Sequence, residues 1–446
     1  MKNKKKVTNE NKLESLNKKE LKNKNRKRIF RNKKWYKLDN AGKIFPPSTT
    51  FYDPKVFRFA ISLNENLEEK ILEEALKETL KDFPIFHSIL RKGIFWYYLE
   101  ESDAKVRVSE EDKIPCDYMY GLLYKVTYYK KRLNLEVSHA LTDASGAAEF
   151  LKAIVVNYLK LKYKIENIPV INTASTVEKS EDSFEKHYKK VRIHKKKIGR
   201  SSYKFKGLEY PENRIKIIEG LTSTSKVLEL AKKYNTTLTI FLTSLLIDSI
   251  GKQMTMREKR KPVYITIPVN LRKFFPSNTI RNFFNTISVS YKFNDEYKFE
   301  DIVESVSKQF KENLTKDALY DKMSDTVFLE NIFFLRIIPR FFKDFVLKFS
   351  FNLTRKIHTM TLSNIGIIDM PEVIQPYVEY FDFFSSTDGA QACVCSYKDN
   401  LMISFTSHYI NSEVEKNFFR ALSSENIEVN INTNVFDEEE GKNEVL

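Results

Sequence analysis

The sequence predicts an α/β chain in which each half mixes sheet with helix, an α+β or mixed α/β sandwich. Three observations carry this. Alternating runs such as "VFRFAISL" and "RLNLEVS" read as strands. Several of them pair as hairpins across short basic or glycine turns. Stripes of apolar residues at helical spacing separate the strands in both halves. With 446 residues, 42% of them hydrophobic, the chain has material for two or three packed units. Its 34 Phe and 23 Tyr can fill a core or line an apolar tunnel. No repeat at a period of roughly 20 to 50 residues marks a solenoid.

In order, residues 1–34 read as a disordered basic tail, and order starts at "WYKLDNAGKIFPP". "VFRFAISL" is a strand. A helix follows, with Leu67, Ile71, Leu72, Ala75, Leu76 and Leu80 on one stripe. "FHSILRKGIFWYYLE" turns at Lys92-Gly93, and "GLLYKVTYYKKRLNLEVSH" turns at Lys130–Arg132. In its second arm Leu133, Leu135 and Val137 share one face; Arg132, Asn134, Glu136 and Ser138 share the other, read as outward. The next helix carries Ala147, Leu151, Ile154, Val155, Tyr158 and Leu159 toward a core. These elements make an N-terminal unit, residues 35–165. Residues 166–210 lose periodicity and gain charge, as a basic linker or crossover. Residues 211–425 repeat the mixture, with "TTLTIFLTSLLIDSIGKQ" apolar all round and so buried, and residues 426–446 read as an acidic tail.

The formal charge of +16 is concentrated. Residues 1–34 hold 15 Lys/Arg against 3 Glu, and residues 186–206 hold 10 Lys/Arg and no acid. A basic tail can touch an anionic membrane weakly; nucleic acid is not the expected partner. Cys116, Cys393 and Cys395 form no disulfide framework and no CxxC half-site, which fits a reducing, cytoplasmic compartment. The N-terminus lacks the apolar run of a secretory signal. "IFFLRIIPRFFKDFVLKFSF" is broken by Arg336, Pro339, Arg340, Lys343 and Asp344, so the expectation is a soluble protein, peripheral on a membrane at most.

One stretch carries chemistry: "VSHALTDASGAAEFL", Val137–Leu151. Continuing the alternation aims His139 inward, at the end of a strand and before a turn of small residues. An imidazole there can act as a general base near neutral pH. The competing reading is a buried histidine satisfied by backbone. Asp143 either orients it or pins the loop by pairing with a distant arginine. His87, His187, His194, His358 and His408 have no partner at ligand spacing and read as structural or solvent-facing, and no metal site is expected. The aromatics of "IRNFF" suit either a tunnel wall or a core.

"SHALTDASG" resembles the HHxxxDG motif of chloramphenicol acetyltransferase-like enzymes, which include peptide-synthetase condensation domains, plant BAHD acyltransferases and the alcohol acetyltransferase family. "WYKLDNAGKIFP", "IPVNLRKFFPSNTIRNFF" and "LSNIGIIDMP" are similar to segments of the alcohol acetyltransferase family in order and spacing, so the likeness spans about residues 35 to 425. It implies two α+β sandwich lobes with a tunnel between them. It implies that His139 is the base and that Asp143 is structural, paired with Arg272 of "PVNLR". The implied reaction moves an acyl group, acetyl by the resemblance, from coenzyme A to a small or hydrophobic alcohol, with acyl-CoA as co-substrate and no bound cofactor. Ser363, Asn364, Ser385, Ser386 and Thr387 are candidates to meet the oxyanion or the substrate.

The sequence departs from the pattern twice. Ser138 replaces the first histidine, tolerable on an outward face. Ala144 replaces the glycine after the aspartate, with Gly146 two residues later. If the turn requires positive φ at 144, alanine is penalised. The plant DFGWG motif is absent, and no carrier or adenylation segment is found. Two other readings stand beside the first: a condensation-like enzyme using carrier-bound acyl groups or an amine acceptor, and a noncatalytic lobe pair that binds a membrane or nucleic acid.

Overall fold

The computed structural model describes residues 33–111, 115–166, 168, 174–189, 202–211, 214–332, 336–386 and 389–435. The expected basic tail (apart from its last two residues), the end of the acidic tail, most of the basic segment, His194 and Thr387 lie outside these residues. The main elements are β1 (Trp35–Lys37), β2 (Val56–Leu63), α1 (Glu69–Asp82), β3 (Ser88–Lys92), β4 (Tyr97–Glu101), β5 (Ser109–Glu110), β6 (Tyr124–Tyr129), β7 (Arg132–Ser138) and α2 (Ala144–Tyr163). Then come β8 (Lys216–Ser223), α3 (Thr224–Lys233), α4 (Leu238–Gln253), β9 (Val263–Asn270), β10 (Phe284–Tyr291), α5 (Phe299–Asn313), α6 (Lys316–Asn331) and α7 (Arg340–Arg355). The chain continues with β11 (Met360–Ile367), β12 (Val378–Ser386), β13 (Ala390–Tyr397), β14 (Asn400–Ser407), α8 (Glu413–Ser424) and β15 (Val429–Thr433).

The strands form a small sheet β1-β4-β3, a five-stranded sheet β12-β2-β7-β6-β5 and a seven-stranded sheet β10-β9-β11-β13-β14-β8-β15. α1 and α2 pack on each other, and their apolar stripes join the five-stranded sheet in one core; Leu72, Ala75, Leu76, Leu151, Ile154 and Val155 are fully buried there. A second core lies under the seven-stranded sheet, centred on α4, in which every residue from Phe241 to Gly251 is buried. Helices cover one face of each sheet, and the other faces meet through β12, β13 and β14. The result is two α+β sandwich lobes.

Three features depart from the boundaries read in the sequence. β12 lies in the second half of the chain but pairs antiparallel with β2 of the first, Phe383 opposite Phe59 and Ser385 opposite Phe57. The expected linker contains two short helices, Thr176–Ser180 and Ser183–His187, and Phe184 of the second is buried edge-on against Phe283 at 5.1 Å. The expected acidic tail contributes β15, which pairs with β8 with Ile431 opposite Gly220; the acids around it hide a strand held mainly by ladder hydrogen bonds at a sheet edge.

The face of β7 read as outward is also buried. Asn134, Glu136 and Ser138 are 0%, 3% and 7% exposed, because this face meets the other lobe. Arg58 donates to Glu136 at 2.6 Å, and Arg132 donates to Glu219 at 3.0 Å and to Asp382 at 2.8 Å. Ser404 donates to the other Asp382 oxygen at 2.5 Å. Burial, with Glu219 close by, pushes the Asp382 carboxyl up to about 8. The enclosed charges are tolerated because Arg58 pairs with Glu136 and Arg132 with Glu219, with the raised Asp382 carboxyl protonated beside them. The network ties β2, β7 and β12 to β8 and β14 across the lobe boundary.

Candidate active site

His139 follows the last residue of β7, and its backbone N–H donates to the Lys55 carbonyl at 2.9 Å. Its ring stacks on Phe45, with centroids 4.9 Å apart and planes 17° from parallel, and touches Phe57 at 4.5 Å. The residue lies deep in the protein, and what exposure it has is into a cavity between the lobes. Burial holds the imidazole down to about 4, against the opposing pull of the Asp143 charge, so the ring is neutral at pH 7. Nδ1 is buried with no hydrogen-bond partner among the described residues, which leaves Nε2 as the nitrogen turned to the cavity.

Asp143 does not orient the imidazole; it fastens the loop. It is the N-cap of α2 and accepts from the Gly146 N–H at 3.0 Å. The same carboxylate accepts Arg272 Nη1 at 2.8 Å, Arg272 Nη2 at 3.3 Å and the Phe283 N–H at 2.8 Å. The pairing with Arg272 thus spans the two lobes. Ala144 is the first residue of α2 and does not have positive φ, so the missing glycine costs nothing there. Glycine is needed at 146 instead. A Cβ on Gly146 would fall 1.9 Å from the Ile280 carbonyl oxygen and 2.2 Å from Thr142 Oγ1. Ser138, in place of the first histidine, uses its hydroxyl to accept the Ala140 N–H at 3.3 Å.

Two asparagines brace the site without having stood out in the sequence. Asn282 donates to the His139 carbonyl at 3.0 Å and to Asp39 at 3.2 Å, and Asp39 is also 3.3 Å from Arg281 Nη2. This brings together "LDNAG" and "IRNFF", with Asn282 and Asp39 243 residues apart and no periodic signature for their pairing. Asn270 donates to Ser145 at 2.9 Å, while its oxygen accepts the Arg272 N–H at 3.0 Å. Of the "IRNFF" aromatics, Phe283 is fully buried in the core and Phe284 lines the cavity.

The cavity has a volume of about 1090 Å³. Phe45, Lys55, His139 and Asp143 line it from one lobe; β9, β11 and α7 supply much of the other wall. Among the described residues, six cationic side chains, Lys55, Lys204, Lys273, Lys311, Arg355 and Lys356, line it against one carboxylate, Asp143, with Lys55 itself paired to Asp53. Burial and nearby Arg355 pull Lys204 down to about 8, and burial also lowers Lys55. Cations crowded this way favour a ligand that brings negative charge.

The hydroxyl candidates separate. Ser363, Asn364 and Ser385 line the cavity; Ser386 does not, because neighbouring strand residues face opposite ways. Asn364 is engaged, donating to Thr239 at 2.9 Å and accepting the Gly366 N–H at 2.9 Å. Ser385 Oγ is buried with no partner among the described residues. Among the remaining histidines, His187 stacks on Phe283 and bonds the Pro276 carbonyl at 3.1 Å, a structural role. His358 differs from its sequence reading: bonded to Thr266 at 2.6 Å, it lines the cavity.

The architecture is the two-lobed fold of chloramphenicol acetyltransferase-like acyltransferases and condensation domains. Similar solved structures include the TRI3 trichothecene 15-O-acetyltransferase of Fusarium sporotrichioides, with TM-score 0.59, 10% identity and coverage of 88% of this chain and 94% of that one. F. graminearum TRI101, complexed with coenzyme A and deoxynivalenol, has TM-score 0.58, 10% identity and coverage of 88% and 97%. The first condensation domain of the calcium-dependent antibiotic synthetase has TM-score 0.56, 13% identity and coverage of 87% and 95%. No protein-family model matches the chain, and no curated protein matches it in sequence.

Proposed function

We propose that the chain is an acyltransferase that moves an acyl group from the thioester of coenzyme A to the hydroxyl of an alcohol, with His139 as general base. One observation carries the reading: His139, its imidazole held neutral by burial, lines an inter-lobe cavity in which, among the described residues, cationic side chains far outnumber carboxylates. The cations suit the phosphates of a coenzyme A donor, and the fold's relatives include an O-acetyltransferase and a protein complexed with coenzyme A.

In the proposed step, Nε2 of His139 takes the hydroxyl proton as the alcohol oxygen attacks the thioester carbonyl carbon. The tetrahedral oxyanion collapses, the C–S bond breaks, and His139 returns the proton to the leaving thiolate. Ser385, whose hydroxyl has no partner among the described residues, is the favoured oxyanion donor. Asp143 and Arg272 hold the loop that carries the base.

Thiol release from acetyl-CoA and longer acyl-CoAs, measured with a panel of alcohols and amines, tests the reading. His139→Ala should lower turnover roughly 10²–10⁴-fold with the fold retained. If the unaltered protein releases no more thiol than His139→Ala with any donor, the reading fails. Turnover confined to amines or carrier-bound donors favours the condensation-like alternative, which shares the fold.

A further inference from the structure

α7 belongs to the segment that read as too broken to cross a membrane, and among the described residues no helix is long and apolar enough to do so. Its apolar residues are nonetheless on the outside. With about 100° between successive helical residues, Phe341, Phe342, Phe345, Val346, Phe349 and Leu353 fall within an arc of about 140°. All six are between 48% and 73% exposed. The opposite face is fastened to the body: Lys343 lies 3.8 Å above the Trp96 ring and donates to the Phe95 carbonyl at 3.1 Å, and Arg340 bonds Tyr97 at 2.9 Å. The β3–β4 turn adds Ile94, 77% exposed, whose carbonyl accepts the Arg340 N–H at 2.8 Å. A rigidly held helix thus presents a row of phenylalanines to the outside.

Charge identifies the occupant. From Arg336 to Met360 the chain carries six cationic residues and one acid, Asp344, which is spent on Arg340. Lys348, Arg355 and Lys356 are exposed. A second copy docked face to face would set these cations against their own equivalents. An anionic lipid surface complements both the aromatic stripe and the basic flank. We propose that α7, with the β3–β4 turn, docks in the plane of an anionic membrane surface, its phenylalanines at the acyl boundary and its cations at the headgroups. Phe351, Thr354 and Arg355 of the same helix, with Lys356 just past its end, line the cavity, so docking sets the cavity beside the lipid. Resting on the acyl-transfer reading above, the acceptor class is then a membrane-dissolved alcohol.

The test is co-sedimentation of the full chain with phosphatidylcholine vesicles, with and without phosphatidylserine. The unaltered protein should bind the phosphatidylserine vesicles. The variant Phe341→Ser/Phe345→Ser/Phe349→Ser, which keeps every charge and alters only exposed side chains, should bind roughly tenfold less or weaker still, with unchanged circular dichroism. Phe345→Trp should show blue-shifted emission on the vesicles, quenched by brominated lipid. Equal binding by the triple variant, or no binding by the unaltered protein, overturns the proposal. So does a dimer that the triple variant dissolves while vesicles stay unbound. Thiol release with a water-soluble alcohol, read on the same samples, separates failure of docking from failure of acyl transfer.

Discussion

Arg272 grips Asp143 with both terminal nitrogens, at 2.8 and 3.3 Å, and in doing so ties the lobe that holds the base to the lobe that supplies most of the cavity wall. The pair is largely enclosed, with side chains 15% and 8% exposed. Removing one partner leaves a charge without its counterpart, which costs more than the pair itself contributes. Asp143→Asn and Arg272→Ala should each lower stability by about 3 kcal/mol. A denaturation double-mutant cycle should show strong coupling between them. Arg272→Lys should not rescue, because a single ammonium cannot reproduce the fork. Additive effects in the cycle would contradict the tie.

The pH dependence has a definite sign. Burial lowers His139 from 6.5 to about 4 in the folded protein. Between these values the unfolded chain binds more protons at this residue than the folded one, so stability rises with pH through that window and is lost as pH falls through it. Above 6.5 the contribution is constant. Urea midpoints of the protein and of His139→Gln, followed from neutral to acid pH, should diverge in that window. The acid limb of kcat/KM should lie near 4. A limb at the ordinary histidine value would show that the cavity does not desolvate the ring.

Gly146→Ala should destabilise by about 3 kcal/mol or more, since the new methyl meets backbone oxygen that cannot yield. Ala144→Gly should gain nothing, because residue 144 is already helical and glycine is the poorer helix former. Thermal denaturation of both variants decides this. Equal losses at the two positions would refute the assignment of the close approach to residue 146.

Ser385→Ala should leave stability unchanged or slightly improved, because it removes a buried hydroxyl that has no partner among the described residues. Its kcat should fall roughly 10²-fold if that hydroxyl meets the oxyanion. Ser386→Ala, on the opposite face of β12, is the control for activity. A Ser385→Ala enzyme with normal kcat would remove Ser385 from the reaction.

The period of the pattern made the elements legible. The stripes of α1 and α2 and the hairpins β3–β4 and β6–β7 could be read directly, because each is set by neighbours in sequence. The inward aim of His139 was legible from strand alternation, and its reading as a base and the pairing of Asp143 with Arg272 only through resemblance. What escaped was set by residues distant in sequence, several of them from the other lobe. The polar face of β7 looks like a solvent face, and nothing local says that Arg58, Glu219 and Asp382 cover it. Asn282 and Asp39 are ordinary polar residues until the chain folds them under His139. The phenylalanines of α7 misled in the opposite direction, since aromatic content alone cannot separate a core stripe from an exposed one.

β12 gives the molecule a further character. Part of the C-terminal half completes a sheet whose other strands come from the N-terminal half, the arrangement of a domain-swapped pair fused into one chain. The lobes are units of space but not units of sequence. Two fragments divided between them could rebuild the cavity only by laying β12 back along the bare edge of β2, which makes that strand the latch of any split version of the protein.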